Sequence, residues 1–191
     1  MSAELAYLTD RLAPREEPAA SVSPEGEHRR FERIVKRHHA RLRRVAAGVL
    51  DERDRVDDVL QEAYLKAYRR LPSRFENEAH EATWLYRVVV RCCLDDLRRG
   101  RRRPQRAAVE PERLHAVGRD GLAPVVLDRA FRRLGAEDRA VLLLIELLGL
   151  DYETAASVLG ARRGTVASRL NRARSRFRAA LEAEGVRDGD R

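Results

Sequence analysis

An apolar stripe that follows a glycine turn restricts the fold of this chain more than any other feature. Five side chains recur at helical spacing in its last third: Val166, Leu170, Ala173, Phe177 and Leu181. At about 100° per residue they share one side of a helix, and that side must pack on other helices. Gly160 begins the preceding turn, because glycine takes positive φ without a Cβ clash. The pattern predicts two short helices around a tight turn over residues 151–174.

The side of this second helix opposite Val166 is polar and suits DNA. It carries four side chains that can reach base edges: Ser168, Asn171, Arg172 and Ser175. Four arginines lie on the flanks, where phosphate contact is natural: Arg163, Arg169, Arg174 and Arg176. Thr165 is the predicted N-cap. We expect a helix-turn-helix whose second helix enters the major groove; a solvated basic face on an ordinary helical bundle is the alternative.

The charge of the chain favours a polyanionic partner. The 191 residues carry a formal net charge of +8, and 37% of them are charged while 5% are aromatic. Nucleic acid and an anionic membrane surface both satisfy this balance. The most apolar segment, residues 141–150, is too short to span a bilayer and contains Glu146. No secretory signal is visible, and Cys92 and Cys93 do not suggest a disulfide framework, so we expect a cytoplasmic protein.

Helical periodicity recurs through most of the chain, and no strand pattern competes with it. We predict an all-α fold of two small helical domains joined by a flexible linker. Pro72 and the polar run 76–81 predict a loop before a helix over about residues 83–98. Ala136 begins a further predicted helix, which Gly149 caps. The predicted organisation is a flexible tail, a first domain, a linker, a second domain and a C-terminal tail: 1–27, 28–103, 104–122, 123–184 and 185–191.

The predicted helix-turn-helix resembles a known family. Residues 164–174, Gly-Thr-Val-Ala-Ser-Arg-Leu-Asn-Arg-Ala-Arg, are similar to the Gly-Thr-Val-x-Ser-Arg-Leu-x-Arg-Ala-Arg signature of extracytoplasmic-function sigma factors. Residues 134–142 and 149–160 resemble the family's upstream segments. The resemblance implies recognition of the minus-thirty-five promoter element, with Ser168, Asn171 and Arg172 facing the bases. Ala167 stands where many members carry a long side chain, so part of the readout differs here.

A second resemblance lies in the predicted first domain. Residues 56–68, Val-Asp-Asp-Val-Leu-Gln-Glu-Ala-Tyr-Leu-Lys-Ala-Tyr, are similar to the family's Glu-Asp-Leu-Val-Gln-Glu-x-Phe-Leu-x-Ala-Trp helix. That helix implies docking on the coiled coil of the polymerase β′ subunit, through Asp57, Asp58, Gln61, Glu62 and Leu65. A negative patch on a basic protein suits a protein partner, since it repels DNA. An ordinary solvated helix face is the alternative.

The third resemblance is to the promoter-melting segment of the family, over Phe75, residues 83–88 and residues 94–99. Bases of an opened duplex can stack on aromatic rings while arginines hold the strand. The candidate residues for minus-ten DNA are Phe75, Trp84, Tyr86, Arg87, Arg91, Arg98 and Arg99. Core packing is the alternative for Trp84 and Tyr86, and we expect at least one of them in the core. Glu81 and Arg91 depart from the family pattern near the expected base-binding loop.

The combined resemblance implies a sigma factor that directs RNA polymerase to promoters and assists DNA melting. Its implied partners are core RNA polymerase (β′ coiled coil and β flap), promoter DNA and an anti-sigma factor, with no small-molecule substrate and a monomeric free state. We expect no enzymatic activity, cofactor or metal, since the chain has no catalytic constellation and its histidines lack metal-ligand spacing. These histidines are expected at the surface or as caps. The alternative is a free-standing helix-turn-helix regulator, which is usually a two-fold dimer.

Overall fold

The computed structural model describes residues 24–100, apart from 51 and 53, and residues 124–186. All regular structure in this part of the chain is helical, which confirms the predicted class. Seven α-helices follow in order: α1 (Pro24–Val49), α2 (Arg55–Tyr68), α3 (Glu78–Gly100), α4 (Pro124–Arg132), α5 (Ala136–Leu142), α6 (Tyr152–Leu159) and α7 (Arg163–Ala183). A π-helical turn, Leu143–Leu147, continues α5. The predicted linker, residues 1–23 of the N-terminal tail and residues 187–191 lie outside the described residues.

Helices α1, α2 and α3 form a first unit around an aliphatic core. The largest fully buried side chains of this core come from all three helices: Leu42, Val45, Val49, Val56, Leu60, Leu85, Val89 and Val90. They recur at three- and four-residue spacings, so each helix turns one apolar side inward. An ion pair of 2.5 Å between Arg55 Nη2 and the buried carboxylate of Asp96 joins the start of α2 to α3. This unit brings α2 and the N-terminal half of α3 to its surface.

Helix α3 begins five residues earlier than predicted, so the interpretation of residues 76–81 as a loop holds for 76 and 77 and was wrong for 78–81. The side chain of Asn77 accepts a hydrogen bond of 2.9 Å from the backbone N–H of His80, as an N-cap does. Glu78 and Glu81 then lie in the first turn, where carboxylates are favourable. Glu81 itself is buried and accepts a bond of 2.9 Å from His38 Nε2. His38, expected at the surface, is only 1% exposed.

Helices α4 to α7 form a second unit whose turns follow the sequence pattern. Asp151 caps α6 by accepting a bond of 2.8 Å from Thr154 N. Gly160 ends α6 at φ 63°, which confirms the predicted turn. Val166 belongs to an apolar stripe of α7 that is buried along most of its length. The predicted cap was wrong: α7 begins at Arg163, so Thr165 lies inside its first turn.

The two units pack directly on each other, which the sequence pattern does not predict. Their buried side chains form one continuous hydrophobic cluster. Gly48 near the end of α1 faces Leu143, and a Cβ at Gly48 would lie 2.7 Å from Leu143 Cδ1. Arg87 on α3 donates a hydrogen bond to Ser157 Oγ on α6. The surface of α3 that faces α6 is therefore covered by the second unit in this arrangement.

Candidate nucleic-acid interface

The polar side of α7 is open to solvent. The four side chains predicted to reach base edges are all exposed, and we call them the recognition face: Ser168, Asn171, Arg172 and Ser175. The two serine hydroxyls donate to carbonyls of their own helix, Ser168 to Thr165 O at 3.0 Å and Ser175 to Asn171 O at 3.1 Å. No described residue bonds to the side chains of Asn171 and Arg172. These two side chains are therefore free to donate to and accept from a ligand.

The flanking arginines of α7 are held by carboxylates of the second unit. Arg169 Nη2 lies 2.7 Å from Glu137, and Arg174 Nη2 lies 2.5 Å from Glu146. Arg176 Nη1 lies 2.5 Å from the mostly buried carboxylate of Asp138. Only the Arg174–Glu146 pair is exposed on both sides, and exposed pairs are weak, so a phosphate can compete most readily for that guanidinium group. Arg163, at the start of α7, is exposed.

Helix α2 presents the predicted acidic patch around an exposed apolar side chain. We call the patch the docking face, and its five members are Asp57, Asp58, Gln61, Glu62 and Leu65. Leu65 is 57% exposed, although it is a large aliphatic residue. A hydrogen bond from Lys66 Nζ, 2.7 Å from Glu62, lowers the pKa of that carboxyl group, which therefore stays ionised. The arrangement suits a partner with a basic surface and an apolar pocket.

The loop between α2 and α3, residues 69–77, carries the first predicted aromatic residue. The rings of Phe75 and Trp84 lie 5.4 Å apart between centroids, tilted by 54°, and both side chains are half-buried. The guanidinium of Arg30 on α1 lies 5.5 Å from the centroid of Phe75. An aromatic pair beside a cation can accept a stacked base on the part of its surface that remains open.

Tyr86 occupies a different environment from Trp84. It is 3% exposed and packs in the core, and burial raises the pKa of its hydroxyl. Its ring offers no surface to a base in this arrangement. The expectation that at least one of the two aromatics lies in the core is met by Tyr86, because it lies three positions before Val89 and so on the same inner side of α3.

The four candidate arginines of α3 divide into two pairs. Arg87 bonds to Ser157, and burial lowers the pKa of its guanidinium. Arg91 reaches the same place, since its Nη2 would lie 3.2 Å from a Cβ at Gly160. Near the C-terminal end of α3, Arg98 and Arg99 are exposed and bond to nearby carboxylates, those of Asp95 (3.0 Å) and Glu62 (3.1 Å) respectively. The second unit therefore partly covers Arg87, whereas Arg91 lies beside that unit but stays exposed, as Arg98 and Arg99 do.

Sequence reasoning missed three residues that shape these surfaces. Arg30 contacts Phe75 from α1, Ser157 accepts from Arg87, and Glu137 lies between Arg169 and Arg98, 3.7 Å from the latter. Each contact joins residues more than thirty positions apart, so helical periodicity carries no signal for it. Glu137 lies within residues 134–142, which resemble a family segment, but the sequence of that segment does not indicate the partners of Glu137.

The described residues show neither a cluster of metal ligands nor a helix suited to a membrane. Among them, no group of three or more His, Cys, Asp or Glu side chains is arranged to hold a metal ion. None of the described helices is both long enough and apolar enough to cross a membrane. Cys92 and Cys93 are buried, and burial raises the pKa of both thiols.

These surfaces define a helical nucleic-acid-binding protein in which one unit carries a recognition helix and the other an aromatic and basic segment. Two family models match the chain in this order: Sigma-70 region 2 over residues 34–103 and Sigma-70, region 4 over residues 125–177. The chain belongs to the extracytoplasmic-function sigma factors of RNA polymerase, and so directs the polymerase to promoters. The presence of both regions disfavours the free-standing regulator.

Curated relatives carry the same family name. The sigma factor SigM of Mycobacterium tuberculosis is 34% identical over 152 residues, which cover 80% of this chain and 77% of the relative. The sigma-E factor of Escherichia coli is 32% identical over 166 residues, which cover 78% of this chain and 85% of the relative. Both relatives span the two units.

Solved structures share the fold. The sigma factor RpoE from Bartonella quintana, in complex with the anti-sigma factor NepR, is 26% identical with a TM-score of 0.64. The match covers 80% of this chain and 97% of that chain. The structure of CnrH with the cytosolic domain of CnrY matches with a TM-score of 0.55 at 24% identity, which supports the fold alone.

Proposed function

We propose that this chain is a non-catalytic, monomeric initiation factor that works with core RNA polymerase in the cytoplasm and reads two promoter elements with its two units. The observation that carries the proposal is that α7 has one buried apolar side and one exposed polar side. Val166 and Leu170 on its inner side have no exposed surface, while Asn171 and Arg172 on the recognition face are exposed and without described partners. A helix with two such sides can pack against its own unit while its polar side enters a major groove.

For the minus-thirty-five element, the recognition face reads bases and the flanks hold the backbone. Arg172 suits guanine and Asn171 suits adenine, because each can form two hydrogen bonds to one base edge. Ser168 adds a short-range contact. The proposed backbone contacts are Arg163, Thr165, Arg169 and Arg176. Binding is proposed to exchange the carboxylate partners of Arg169 and Arg176 for phosphates.

For the polymerase, the docking face of α2 supplies the contact with the β′ coiled coil. Leu65 is the proposed apolar centre, and Asp57, Asp58, Gln61 and Glu62 surround it. Apolar residues that are desolvated inside a polar rim contribute most to interfaces. The second unit is proposed to contact the β flap, as the family resemblance implies.

For the minus-ten element, Phe75 and Trp84 are proposed to stack with bases of the opened strand while Arg98 and Arg99 hold its backbone. Arg91 is exposed and is proposed to join them directly. Arg87, which bonds to Ser157, joins them only when the second unit has moved away from α3. Tyr86 supports α3 from the core and is left out of the contacting set.

The proposed function requires the two units to separate. The two elements lie about 25 base pairs apart, on the order of 85 Å along the duplex. The 23 residues between Gly100 and Pro124 can span at most about 83 Å when extended, and α7 alone is about 32 Å long. Chain length therefore permits the separation. The proposed units are residues 28–103 and 123–184, with 104–122 as the connection.

We further propose an anti-sigma factor as a regulatory partner. The related structure from Bartonella quintana holds a sigma factor with the anti-sigma factor NepR. A protein inhibitor of this chain is proposed to compete with core polymerase for the docking face, where an exposed leucine lies among carboxylates.

Run-off transcription with purified core polymerase and a genomic promoter library tests the proposal. We expect promoter-specific transcripts that depend on this chain and on both promoter elements. A free-standing regulator would instead bind operator DNA tightly without polymerase. The absence of any promoter-specific transcript across the library would contradict the proposed function.

A further inference from the structure

The loop between α2 and α3 has little backbone support of its own. Hydrogen bonds between backbone groups end at Leu71, whose N–H donates to Tyr68 O at 3.3 Å, and resume at Asn77, whose carbonyl accepts from Glu81 N at 3.2 Å. Between these points, the described hydrogen bond to the loop backbone comes from outside it. Arg30 Nη1 on α1 donates to Pro72 O at 2.8 Å.

Arg30 contacts the same loop a second time. Its guanidinium lies 5.5 Å from the centroid of the Phe75 ring, which in turn lies 5.4 Å from the ring of Trp84. Phe75 therefore has a cation as one neighbour and an aromatic ring as another. A planar guanidinium can stack on an aromatic ring while it donates in its own plane, which an ammonium group cannot do.

The charge of Arg30 is not compensated by a described carboxylate. Its described partners are a carbonyl oxygen and an aromatic ring, whereas many other arginines of the molecule, such as Arg55 and Arg99, bond to acids. A cation in this position holds the loop and also makes the neighbourhood of Phe75 favourable to a strand backbone. A simple surface ion pair does neither.

We propose that Arg30 is a positioning residue for promoter melting, which holds the 69–77 loop so that Phe75 is ready to receive an unstacked base. The proposal rests on the proposed role of Phe75 at the minus-ten element. A ring held in place before DNA arrives loses less conformational freedom on binding. Arg30 thus acts through Phe75 and Pro72, and it need not contact the base itself.

A double-mutant cycle with the full chain and core polymerase tests this role. The variants are Arg30→Ala, Phe75→Ala and the double variant, and the readout is the rate of promoter opening from 2-aminopurine placed in the minus-ten strand. We expect Arg30→Ala to slow opening about tenfold, equivalent to about 1.4 kcal/mol. The double variant should open no more slowly than Phe75→Ala, because both changes remove the same interaction.

Two further variants separate positioning from charge. Arg33→Ala removes one positive charge from the exposed side of the same helix and should leave the opening rate within about twofold. Arg30→Lys keeps the charge but loses the planar guanidinium, and should recover only part of the rate. Core-polymerase affinity and thermal unfolding are measured for each variant, and Arg30→Ala should leave both near the values of the parent.

Each alternative outcome is distinct. Additive effects of Arg30→Ala and Phe75→Ala, or full recovery with Arg30→Lys, would overturn the positioning role and leave Phe75 in place. A loss of core affinity or folding stability that accounts for the slower opening would do the same. If Phe75→Ala opened promoters at the parent rate, the proposed role of Phe75 would fall, and that of Arg30 with it.

Discussion

Arg139 on α5 donates from Nη2 to the backbone carbonyl of Val49, the last residue of α1, at 2.7 Å. The same guanidinium donates from Nη1 to Leu134 O at 2.9 Å and to Arg132 O at 3.3 Å, at the end of α4. Helix C-termini carry partial negative charge and unpaired carbonyls. One buried cation therefore satisfies two of these ends, and it joins the second unit to the first.

Replacing Arg139 by methionine is expected to destabilise the protein by about 3 kcal/mol, since three carbonyls of buried helix ends lose a charged donor. Arg139→Lys should not recover the loss, because one ammonium group cannot reproduce the planar fork. Urea denaturation measures both. Arg133→Met is the control: it removes an exposed guanidinium from Glu184 while Arg129 stays 3.9 Å from that carboxylate, so it should cost less than about 1 kcal/mol. Equal losses for Arg139 and Arg133 would contradict the assignment.

A bulky side chain at Gly48 is expected to separate the two units. A Cβ there already lies 2.7 Å from Leu143 Cδ1, and Leu143 belongs to the second unit. Gly48→Leu should increase the radius of gyration measured by small-angle X-ray scattering, while the helical content stays unchanged. Gly164→Leu, where a Cβ meets nothing within 4 Å, is the matched control. An unchanged radius for Gly48→Leu would show that the units tolerate the side chain without parting.

Arg172→Ala is expected to weaken discrimination at the upstream element by about 1–3 kcal/mol, the usual contribution of a bidentate contact to a base. The measurement is holoenzyme affinity for the cognate promoter and for promoters with single changes in that element. Arg163→Ala, which removes an exposed arginine proposed to contact the backbone, should weaken binding similarly on every promoter. A uniform loss for Arg172→Ala would make it a phosphate contact.

Leu65→Asp is expected to lower the affinity for core polymerase by at least tenfold, because an exposed leucine that becomes buried at an interface would be replaced by a charge. Titration of fluorescent core polymerase measures the affinity. The unfolding midpoint should change little, since Leu65 is exposed in the free chain. Arg69→Ala, at an exposed position just beyond α2, is the control. If Leu65→Asp bound core polymerase as tightly as the parent, Leu65 would not belong to the docking surface.

The free energy of unfolding is expected to fall at alkaline pH, because the thiol of Cys93 is buried in the folded chain. Burial raises the pKa of this thiol above its ordinary value of 9.0. Below about pH 8.5 both the folded and the unfolded chain keep the thiol proton, so the contribution of Cys93 to the free energy of unfolding is fully present. At higher pH only the unfolded chain releases it, and the free energy of unfolding declines. Denaturant unfolding from pH 7 to 10 should show a smaller decline for Cys93→Ala. Tyr64, whose burial raises its pKa to about 12, acts in the same direction only nearer pH 10. Parallel declines for parent and variant would contradict the assignment to Cys93.

The local sequence pattern was sufficient to predict the helices and the recognition face. The stripe that includes Val166 and Leu170 follows from 3.6-residue periodicity, and the turn at Gly160 follows from the freedom of glycine at positive φ. Both are properties of short segments. The start of α3 was predicted too late, since the capping role of Asn77 was not recognised in a run of polar residues.

The surfaces of the first unit could be predicted only in part. The order of residues on α2 was enough to group the docking face. It could not show which ring of α3 is buried, and the structure assigns Tyr86 to the core and leaves Trp84 beside Phe75. The two rings lie two residues apart, so helix geometry separates them, but only the packing of α1 and α2 shows which of them faces inward.

By itself, the sequence determined the helical class, the two regions, the recognition face and the family. Only the tertiary structure decided that the second unit covers Arg87, that Arg139 joins the two units and that Arg30 supports the loop of Phe75. The first group depends on neighbours within one or two helical turns, which the order of residues records directly. The second depends on pairs separated by 42 to 90 positions, and such pairs are selected by the packing of whole helices, which no local pattern encodes.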